Sequence, residues 1–480
     1  MAHLLVIESW VGSMSRLLPR ALGEGGHRFT FLTRDLHHYL RAAPADGPHP
    51  LLAAENVLTA DTNDPATLLP YAERLHGVLG FDGVVSSCDY YLPLVAQVAR
   101  RLRLPGPAPE AVTAACRKDL TRRALADAGV PGPAYALCAD REQALDAARV
   151  LGFPLVVKPV DLCAGMFVRA VLDEPELLAA LRALEAFPVN ARGQRRAPVV
   201  LLEELLTGPE VSVETVCADG GVHVVGITDK SVGGAPAFIE TGHMFPAALT
   251  PADAAAAADT AVAALTALGL DQVVAHTEIK LTPAGPRVVE VNPRPAGNRI
   301  TELVRRVTGI DLAAACVDVA LGRRPDLVVH PTGVTSAAIA FLVPGEEVGL
   351  LDGFDGEPAV RRDPAVVELT LAGPGRDVRP ATSNNEYLGH VMTADTTGAG
   401  ARRAAERLLA GLTPRYAADG PGEAPGGADV SRSDASGADA SGADASGAAV
   451  SGSAVSGAAV PGPDSSAAAG CPAEAAAVPA

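Results

Sequence analysis

Two glutamates, Glu278 and Glu290, have a spacing that brings two carboxylates together. They fall on strands predicted at residues 275–281 and 287–291, which flank a short turn, so a hairpin places them on neighbouring strands. Asn292 follows Glu290 by two residues and therefore shares its face of the sheet. Like charges paired across a ladder repel each other, so a positive group is expected between them. Two carboxylates and an amide oxygen suit Mg²⁺, which keeps its other positions for water and substrate phosphates.

Arg294 lies on the next same-face step after Asn292, where a guanidinium can bind a phosphate or a carboxylate. The sequence leaves a second interpretation of this hairpin open. In that interpretation the face is solvated, and Lys280 neutralises Glu278 without any metal.

Lysines are a second source of candidates because they are rare. Lysine and arginine total 39, yet only four of these residues are lysines: Lys118, Lys158, Lys230 and Lys280. A coding bias toward arginine explains the ratio, and lysines that survive it can mark positions where a compact ammonium fits and a planar guanidinium does not. Lys158 ends an apolar strand at residues 155–158, and Pro159 keeps it extended, which suits a phosphate contact. A lysine that only extends toward solvent from a strand end fits the same pattern.

Three further charged residues have both a functional and a structural interpretation. Lys118 and Arg122 are four residues apart on a helix predicted at 111–128, so they share a face that is either a phosphate site or an ordinary basic surface. Glu210 begins a strand after a Gly-Pro turn. An acid at a strand edge can accept hydrogen bonds from ribose hydroxyls, and an ordinary turn acid is the alternative.

The elements that must position these residues follow an α/β pattern. Strands predicted at residues 3–8, 27–33 and 78–86 alternate with helical segments, which indicates a doubly wound parallel sheet. A proline-rich connector follows at residues 105–109 and is typical of a domain boundary. The region after residue 331 is again rich in strands and closes with a helix predicted at 401–412.

The C-terminal end has a different composition. It consists largely of Ala, Gly, Ser, Pro and Asp and contains a five-residue repeat, so it lacks the side chains that would offset the entropy of ordering. The predicted organisation is therefore an N-terminal α/β domain at 1–110, a central two-lobed domain at 111–330, an α+β domain at 331–412 and a disordered tail at 413–480.

Composition narrows the class of protein. The 480 residues allow about three domains. The net charge of −17 argues against a nucleic-acid partner, and no apolar run approaches the ~18 residues of a membrane span. The N-terminus shows no signal-peptide pattern, and the seven cysteines show no metal or redox spacing. We therefore predict a cytoplasmic protein with reduced thiols and no membrane partner; the oligomeric state stays open, with a homodimer as one option.

Taken in order, the motifs between residues 111 and 324 resemble the ATP-grasp superfamily of carboxylate–amine ligases. The most specific part is the run Glu290-Val-Asn-Pro-Arg294 with Glu278 twelve residues earlier. The resemblance implies an ATP-grasp fold and a role for each matching residue. ATP phosphates would contact Lys118 and Lys158, adenine would contact backbone groups of the hinge strand at residues 203–206, and ribose would contact Glu210. Glu278, Glu290 and Asn292 would hold Mg²⁺, and Arg294 would steady an acyl phosphate. The hinge residues expected to contact adenine are Glu203, Glu204 and Leu206.

Within the superfamily the sequence is most similar in appearance to the L-amino-acid ligase type. The runs from Glu240 to Pro246 and from Asn292 to Gly297 carry this likeness, which also implies a C-terminal domain of that type. The substrate end would then include Lys230, Gly297 and His243, for which a buried structural histidine is the alternative. One departure concerns the phosphate-covering loop at residues 161–168, which is usually rich in Gly and Ser and here contains a single glycine.

The resemblance implies an ATP-dependent enzyme that joins a carboxylate, in this type an amino acid, to an amine through an acyl phosphate, with ATP and Mg²⁺ required. Two alternatives stay open. One is a carboxylating or purine-pathway ATP-grasp enzyme, and the other is a nucleotide-binding regulator without turnover. The sequence does not identify the acid or the amine.

Overall fold

The computed structural model of the chain describes residues 1–9, 12–40, 48–233 and 236–417. Its N-terminal part alternates strands and helices. These elements are β1 (His3–Ile7), α1 (Met14–Glu24), β2 (Arg28–Thr33), α2 (Leu36–Leu40), β3 (Asn56–Thr59), α3 (Pro65–Leu79), β4 (Gly83–Val85) and α4 (Leu92–Leu102). The strands form a sheet in the order β3-β2-β1-β4, and every neighbouring pair is parallel, which confirms the predicted parallel α/β arrangement.

One predicted strand in this part is wrong in extent. The strand expected at residues 78–86 is only β4, because α3 continues to Leu79. Helix α3 begins where the Asp64 side chain accepts a hydrogen bond from the amide of Ala66. Val78 is 84% exposed on this helix, whereas Leu79 packs partly buried against the core, so this apolar stretch is the end of an amphipathic helix and not a buried strand.

The helix predicted at residues 111–128 is two helices, α5 (Pro109–Cys116) and α6 (Lys118–Asp127). The break falls at Arg117, whose φ of −112° and ψ of 105° are extended. Beyond the break, the amide of Lys118 donates to the carbonyl of Val160, 2.9 Å away, instead of to its own helix. This tertiary hydrogen bond fixes the start of α6 beside a strand of the next lobe.

That lobe is a four-stranded antiparallel sheet with two helices. Its elements are β5 (Tyr135–Cys138), α7 (Arg141–Leu151), β6 (Leu155–Pro159), β7 (Arg169–Val171), α8 (Glu174–Glu185) and β8 (Val200–Glu204). The strands lie in the order β5-β8-β6-β7. We call this part the small lobe.

The rest of the fold is organised around an eight-stranded antiparallel sheet. Its central elements are β9 (Glu210–Ala218), β10 (Gly221–Gly233), β11 (Ile239–Phe245), α9 (Pro251–Ala267), β12 (Val273–Thr282), β13 (Gly285–Asn292), α10 (Ile300–Thr308) and α11 (Leu312–Ala320). The C-terminal elements are β14 (Ser336–Leu342), β15 (Gly349–Asp355), α12 (Glu357–Arg362), β16 (Val366–Leu371), β17 (Asp377–Val378), β18 (Gly389–Asp395), α13 (Ala401–Leu409) and β19 (Thr413–Tyr416). The large sheet has the order β13-β12-β9-β10-β11-β14-β18-β16, so it continues from the central region into the C-terminal region without a gap.

The tail predicted at 413–480 begins too early. Strand β19 pairs with β15 in a three-stranded sheet, β17-β15-β19, and Tyr416 faces Leu351 across that ladder. The amide of Ala417 donates to the carbonyl of Leu350, 2.9 Å away. Residues 418–480, where the rest of the predicted tail falls, lie outside the described residues.

A single cluster of buried apolar side chains joins the N-terminal sheet to the large sheet. It includes Leu4, Leu18, Leu303, Ala313 and Ile339, which come from both sheets and from the helices between them. Burying these side chains together stabilises one arrangement of the two sheets. No helix among the described residues is long and apolar enough to cross a membrane.

Candidate active site

The predicted hairpin is present, and its register places the two glutamates opposite each other. Strands β12 and β13 pair antiparallel, with Glu278 opposite Glu290 and His276 opposite Asn292. The ladder is irregular between Glu278 and Ile279, directly after this pair. All four of these paired residues line one cleft, which therefore receives two carboxylates and an amide from the same hairpin.

This cleft lies where the lobes meet, and its volume is about 280 Å³. The N-terminal sheet contributes Ser87 and Asp89, which follow β4. The small lobe contributes Lys158 and the loop around Gly165. The large sheet contributes strands β9 to β13, and the C-terminal region contributes Asn384. A ligand bound here would lie between the N-terminal sheet, the small lobe and the large sheet.

All four lysines of the sequence line the cleft, and each ammonium has a glutamate partner. Lys118 Nζ lies 2.9 Å from Oε1 of Glu290 and donates to the carbonyl of Leu162 at 2.8 Å. Burial lowers the pKa of Lys118, but the Glu290 carboxylate outweighs that effect and raises it above its usual range. A charged ammonium therefore sits against one of the two hairpin acids.

Lys158 is part of a buried group of three charges. Its Nζ lies 2.5 Å from one carboxylate oxygen of Glu203, and Arg122 Nε lies 2.5 Å from the other. Each of the three residues is at most 5% exposed. Lys158 therefore does not extend toward solvent, and Arg122 does not belong to an ordinary basic helix surface. Burial lowers the pKa of Lys158, which the Glu203 carboxylate only partly opposes.

The predicted hinge residues divide between a paired strand and the segment that follows it. Glu203 was expected to offer backbone groups to adenine, but it lies in the middle of the small-lobe sheet, opposite Tyr135 on β5 and Val156 on β6. Its side chain is committed to Lys158 and Arg122. Glu203, Glu204, Leu205 and Leu206 all line the cleft, and Leu205 and Leu206 lie beyond the last residue of β8.

Lys230 joins three carboxylates in the large sheet. Its Nζ lies 2.7 Å from Glu278, 2.8 Å from Glu240 and 3.4 Å from Glu210. Burial disfavours the charged forms of Lys230, Glu240 and Glu278, but the opposite charges prevail: the pKa of Lys230 is well above its usual range, and those of Glu240 and Glu278 are well below. Lys230 is therefore the cation beside Glu278.

Lys280 does not neutralise Glu278, as the interpretation of a solvated hairpin face required. Its Nζ lies 3.1 Å from Oε2 of Glu210, not beside Glu278. The turn before Glu210 permits this approach, because Gly208 has a φ of +133° and a Cβ at that position would collide with the carbonyl of Leu281.

A buried dyad beneath the hairpin was not predicted. His276 Nδ1 lies 3.0 Å from Oε2 of Glu214, and its Nε2 lies 3.3 Å from Oε1 of Glu278. Burial lowers the pKa of His276, but the Glu214 carboxylate outweighs it and raises the value to about 9. Glu214 also accepts hydrogen bonds from Ser212 and Thr228, so its charge is fully bonded. The signal in the sequence was the same-face spacing of Ser212 and Glu214 on a predicted strand.

Arg294 lines the cleft, where it pairs with a residue that sequence reasoning missed. Its Nε lies 2.7 Å from Oδ1 of Asp89, which belongs to the N-terminal domain. Burial lowers the pKa of Arg294, but Asp89 raises it beyond its ordinary value. Asp89 follows a parallel strand at its carboxyl end, a position where ligand-binding residues gather in such sheets, and that was the available signal.

Of the two remaining predicted substrate residues, His243 is not among the residues that line the cleft. Gly297 lines the cleft. His243 is 1% exposed and packs edge-on against the ring of Phe341. Its Nε2 lies 3.2 Å from Oε2 of Glu240 without hydrogen-bond geometry, and its Nδ1 has no hydrogen-bond partner among the described residues.

Comparison with known proteins identifies the family. Three family models match: an ATP-grasp domain over residues 151–302, an L-amino acid ligase C-terminal domain over 340–417 and an ATP-grasp N-terminal domain over 21–106. The uncharacterized protein y4rH of Sinorhizobium fredii is 30% identical over 375 residues, which cover 76% of this chain and 75% of that protein. The chain belongs to the ATP-grasp ligases.

Two further relatives place it near the L-amino-acid ligase type. Carnosine synthase 1 of Homo sapiens is 32% identical over 281 residues, which cover 55% of this chain but only 34% of that protein. The crystal structure of L-amino acid ligase from Bacillus licheniformis superposes with a TM-score of 0.71 at 25% identity, covering 87% of this chain and 99% of that one. The likeness to that ligase therefore includes the C-terminal region.

The acids of this ATP-grasp cleft fit a magnesium ion. No group of three or more His, Cys, Asp or Glu side chains that could hold a metal occurs in the described parts of the chain. Mg²⁺ does not need such a group, since one or two carboxylates and the phosphates of a nucleotide are its usual ligands. Glu278 and Glu290, opposite each other and beside Asn292, supply that set.

In the glycine-poor loop at residues 161–168, two residues other than glycine adopt left-handed backbone conformations. Ala164 and Phe167 have φ values of 56° and 58°, and Gly165 lies between them at 69°. The ring of Phe167 packs against Phe187, with centroids 5.0 Å apart. The amide of Asn384 approaches the carbonyl of Ala164 at 3.4 Å, so the loop contacts the C-terminal region.

Proposed function

We propose that the chain is an ATP- and Mg²⁺-dependent ligase that joins a carboxylate, in particular an amino acid, to an amine through an acyl phosphate and releases ADP and phosphate. The observation that carries this proposal is the convergence of charge. Four ammoniums, the opposed carboxylates of Glu278 and Glu290 and the guanidinium of Arg294 surround one cleft. The relatives named L-amino acid ligase and carnosine synthase support the choice of an amino acid.

The nucleotide would occupy the end of the cleft beside the small lobe. In the proposal, adenine contacts the backbone that follows Glu204, at Leu205 and Leu206, and ribose contacts Glu210. Lys118 and Lys158 bind the phosphates. Glu278, Glu290 and Asn292 would hold Mg²⁺, which supplies charge neutralisation for the transferred phosphoryl group.

The reaction would proceed in two displacements. An oxygen of the substrate carboxylate attacks the γ-phosphorus, and the bond to ADP breaks. The neutral amine nitrogen then attacks the acyl carbon, the bond from that carbon to the phosphate oxygen breaks, and the leaving phosphate takes the proton that the nitrogen loses. Arg294 would steady the acyl phosphate, and Lys230 and Gly297 would border the substrate, whereas His243 is not among the residues that line the cleft. Catalysis rests on positioning and charge neutralisation, since no side chain at the site is required as a general base.

Hydroxylamine trapping tests this proposal directly. The purified chain is mixed with ATP, Mg²⁺, hydroxylamine and one carboxylic acid at a time, including the proteinogenic amino acids. ADP release with an equal yield of hydroxamate is expected for at least one acid, because hydroxylamine intercepts an acyl phosphate.

Other outcomes of the same assay favour the alternatives. ADP release that depends on bicarbonate, without hydroxamate, would indicate a carboxylating enzyme. ATP binding without ADP release for any acid would indicate a regulator. A cytoplasmic location and a homodimer remain predictions, which fractionation and light scattering can test.

A further inference from the structure

We propose that the N-terminus of α1 binds an anionic group, a carboxylate in an amino acid, of the amine substrate. This inference rests on the proposed ligase function and adds a subsite to it. Four observations support it: the sheet topology, the cleft lining, the backbone groups at the start of α1 and an unpartnered buried hydroxyl.

The topology places the site at the point where the N-terminal sheet changes direction. Strand β1 lies between β2 and β4, and the chain builds outward to β3 on one side before it returns to β4 on the other. Ligands of such sheets bind at the carboxyl ends of the two strands that flank this point. The ends are joined here, because the amide of Ser87 donates to Oγ of Ser9 at 3.0 Å.

Both strand ends open into the cleft. Gly12, Ser13 and Met14, at the start of α1, line it, as do Ser87 and Asp89 after β4. Asp89 contacts Arg294 at 2.7 Å, so this edge of the sheet directly adjoins the guanidinium that would steady the acyl phosphate. An amine that attacks the acyl carbon must reach it from the side of the cleft opposite the nucleotide. The N-terminal domain lines that side.

The start of α1 offers unused donors. The first hydrogen bonds at this end are donated by the amides of Ser15, Arg16 and Leu17, which leaves the amides of Ser13 and Met14 without an acceptor in the described parts of the chain. The first turn contains no acidic side chain. Because the helix dipole adds positive potential at this end, an anion is the ligand that these groups would bind.

The buried hydroxyl of Ser13 points independently to a ligand. Ser13 is 8% exposed, and its Oγ has no hydrogen-bond partner among the described residues, nor does it cap the helix. Leaving a buried hydroxyl without a hydrogen-bond partner is unfavourable, so such a group points to a bound acceptor. A carboxylate at the start of α1 would accept from this hydroxyl and from the neighbouring amides, which satisfies three donors with one group.

Matched amines test the proposal in the wild-type chain. The acid is fixed as the one that gives hydroxamate, and each proteinogenic amino acid is offered as the amine beside its carboxamide and its aminophosphonate analogue. For the amine used best, we expect kcat/KM to fall about tenfold or more when the carboxylate becomes a carboxamide. Retained activity with the aminophosphonate would identify a phosphate-like group as the natural anion. Carboxamides or other uncharged amines that react as well as the acids would overturn the proposal.

Two matched variants locate the effect. Ser13→Asp puts a fixed carboxylate at the start of α1, and we expect the preference for amino acid over carboxamide to fall about tenfold. Ser13→Ala removes only the hydroxyl and should reduce the preference by a smaller factor, which keeps the test valid if the aspartate variant does not fold. An unchanged preference in folded Ser13 variants would refute the subsite, whereas failure to form any hydroxamate would refute the ligase function instead.

Discussion

Lys118 Nζ lies 2.9 Å from Oε1 of Glu290, so an ammonium contacts one of the acids assigned to magnesium. Lys230 contacts the other acid, Glu278, at 2.7 Å. The repulsion expected between the two acids is therefore already offset by lysines in the chain alone. If the phosphates of a bound nucleotide pair with these ammoniums, both carboxylates become available to a metal. Lysine–glutamate pairs are then replaced by lysine–phosphate and glutamate–metal contacts.

This relationship changes what removal of Glu290 should do. Glu290→Gln leaves the buried Lys118 ammonium with only the carbonyl of Leu162, so the variant should be somewhat less stable than wild type without nucleotide. Relief of repulsion between the two acids would by itself predict equal or higher stability, but Lys118 and Lys230 already offset that repulsion. Turnover should fall roughly a hundredfold, because the metal and the phosphate lysine both lose a partner.

Thermal unfolding with and without Mg²⁺-ATP separates the metal role from the structural one. At about 100 times its Kd, the nucleotide should stabilise wild type by about 2.7 kcal/mol. Glu290→Gln should gain little from Mg²⁺-ATP. Glu185→Gln, which breaks an exposed pair with Arg141, serves as the control and should respond like wild type. An equal response in Glu290→Gln would remove the metal assignment.

Lys158→Arg tests whether a compact ammonium is required in the small lobe. Glu203 already holds Arg122 on its other oxygen, and all three residues are buried, so a second guanidinium has little room. We expect ATP affinity, measured by titration calorimetry, to fall about tenfold, with a stability loss of about 1–3 kcal/mol from overpacking. Arg141→Lys, at an exposed pair, is the control for exchange of the two cations. Unchanged ATP affinity in folded Lys158→Arg would show that the charge alone is sufficient.

Local pattern was enough to predict the hairpin and its opposed acids. Alternation along β12 and β13 assigns each residue a face, and the intervening turn fixes which residues pair, so Glu278 and Glu290 could be matched from spacing. The break at Arg117 could not be predicted in this way, because its cause is a hydrogen bond from Lys118 to Val160 in another lobe.

Ion-pair partners were the least predictable feature. Lys280 was the nearest cation in sequence to Glu278, yet Lys230 on β10 is the one that reaches it. Asp89 reaches Arg294 from a different domain, so no local spacing relates the two residues. Charges pair according to the tertiary arrangement of strands, which the sequence alone does not supply.

An acid-sensitive contact joins the C-terminal strands to the central region. Glu368 on β16 lies 2.8 Å from Arg299 and 3.0 Å from His390. Burial raises the pKa of Glu368, but the His390 hydrogen bond and the Arg299 charge outweigh it and lower the value from 4.5 to about 2. A carboxyl group whose pKa is lower in the folded than in the unfolded chain stabilises the fold at pH values above its unfolded-state pKa. That contribution is lost as the pH falls toward the folded-state pKa.

Glu368→Gln should therefore be less stable than wild type at pH 6, by about 1–2 kcal/mol for this partly exposed group. The difference should shrink as the pH falls from 4.5 toward 2, because the wild type loses its advantage over that range. Urea unfolding at pH 6 and pH 3 measures it, with Glu357→Gln at an exposed helix pair as the control. A difference that is independent of pH would mean that the charge of Glu368 does not contribute.

The end of the folded part can be located with two truncations. A chain stopped after Ala417 keeps β19 and the hydrogen bond from Ala417 to Leu350, so its melting temperature and turnover should match those of the full chain. A chain stopped after Leu412 loses β19, including Tyr416, which packs on the cluster around Leu351. That loss leaves β15 with one fewer partner strand and should lower the melting temperature by a few degrees, since about 2 kcal/mol of packing is removed. A drop of several degrees for the longer chain would instead show that residues beyond 417 contribute to the fold, and equal melting of both truncations would show that β19 does not.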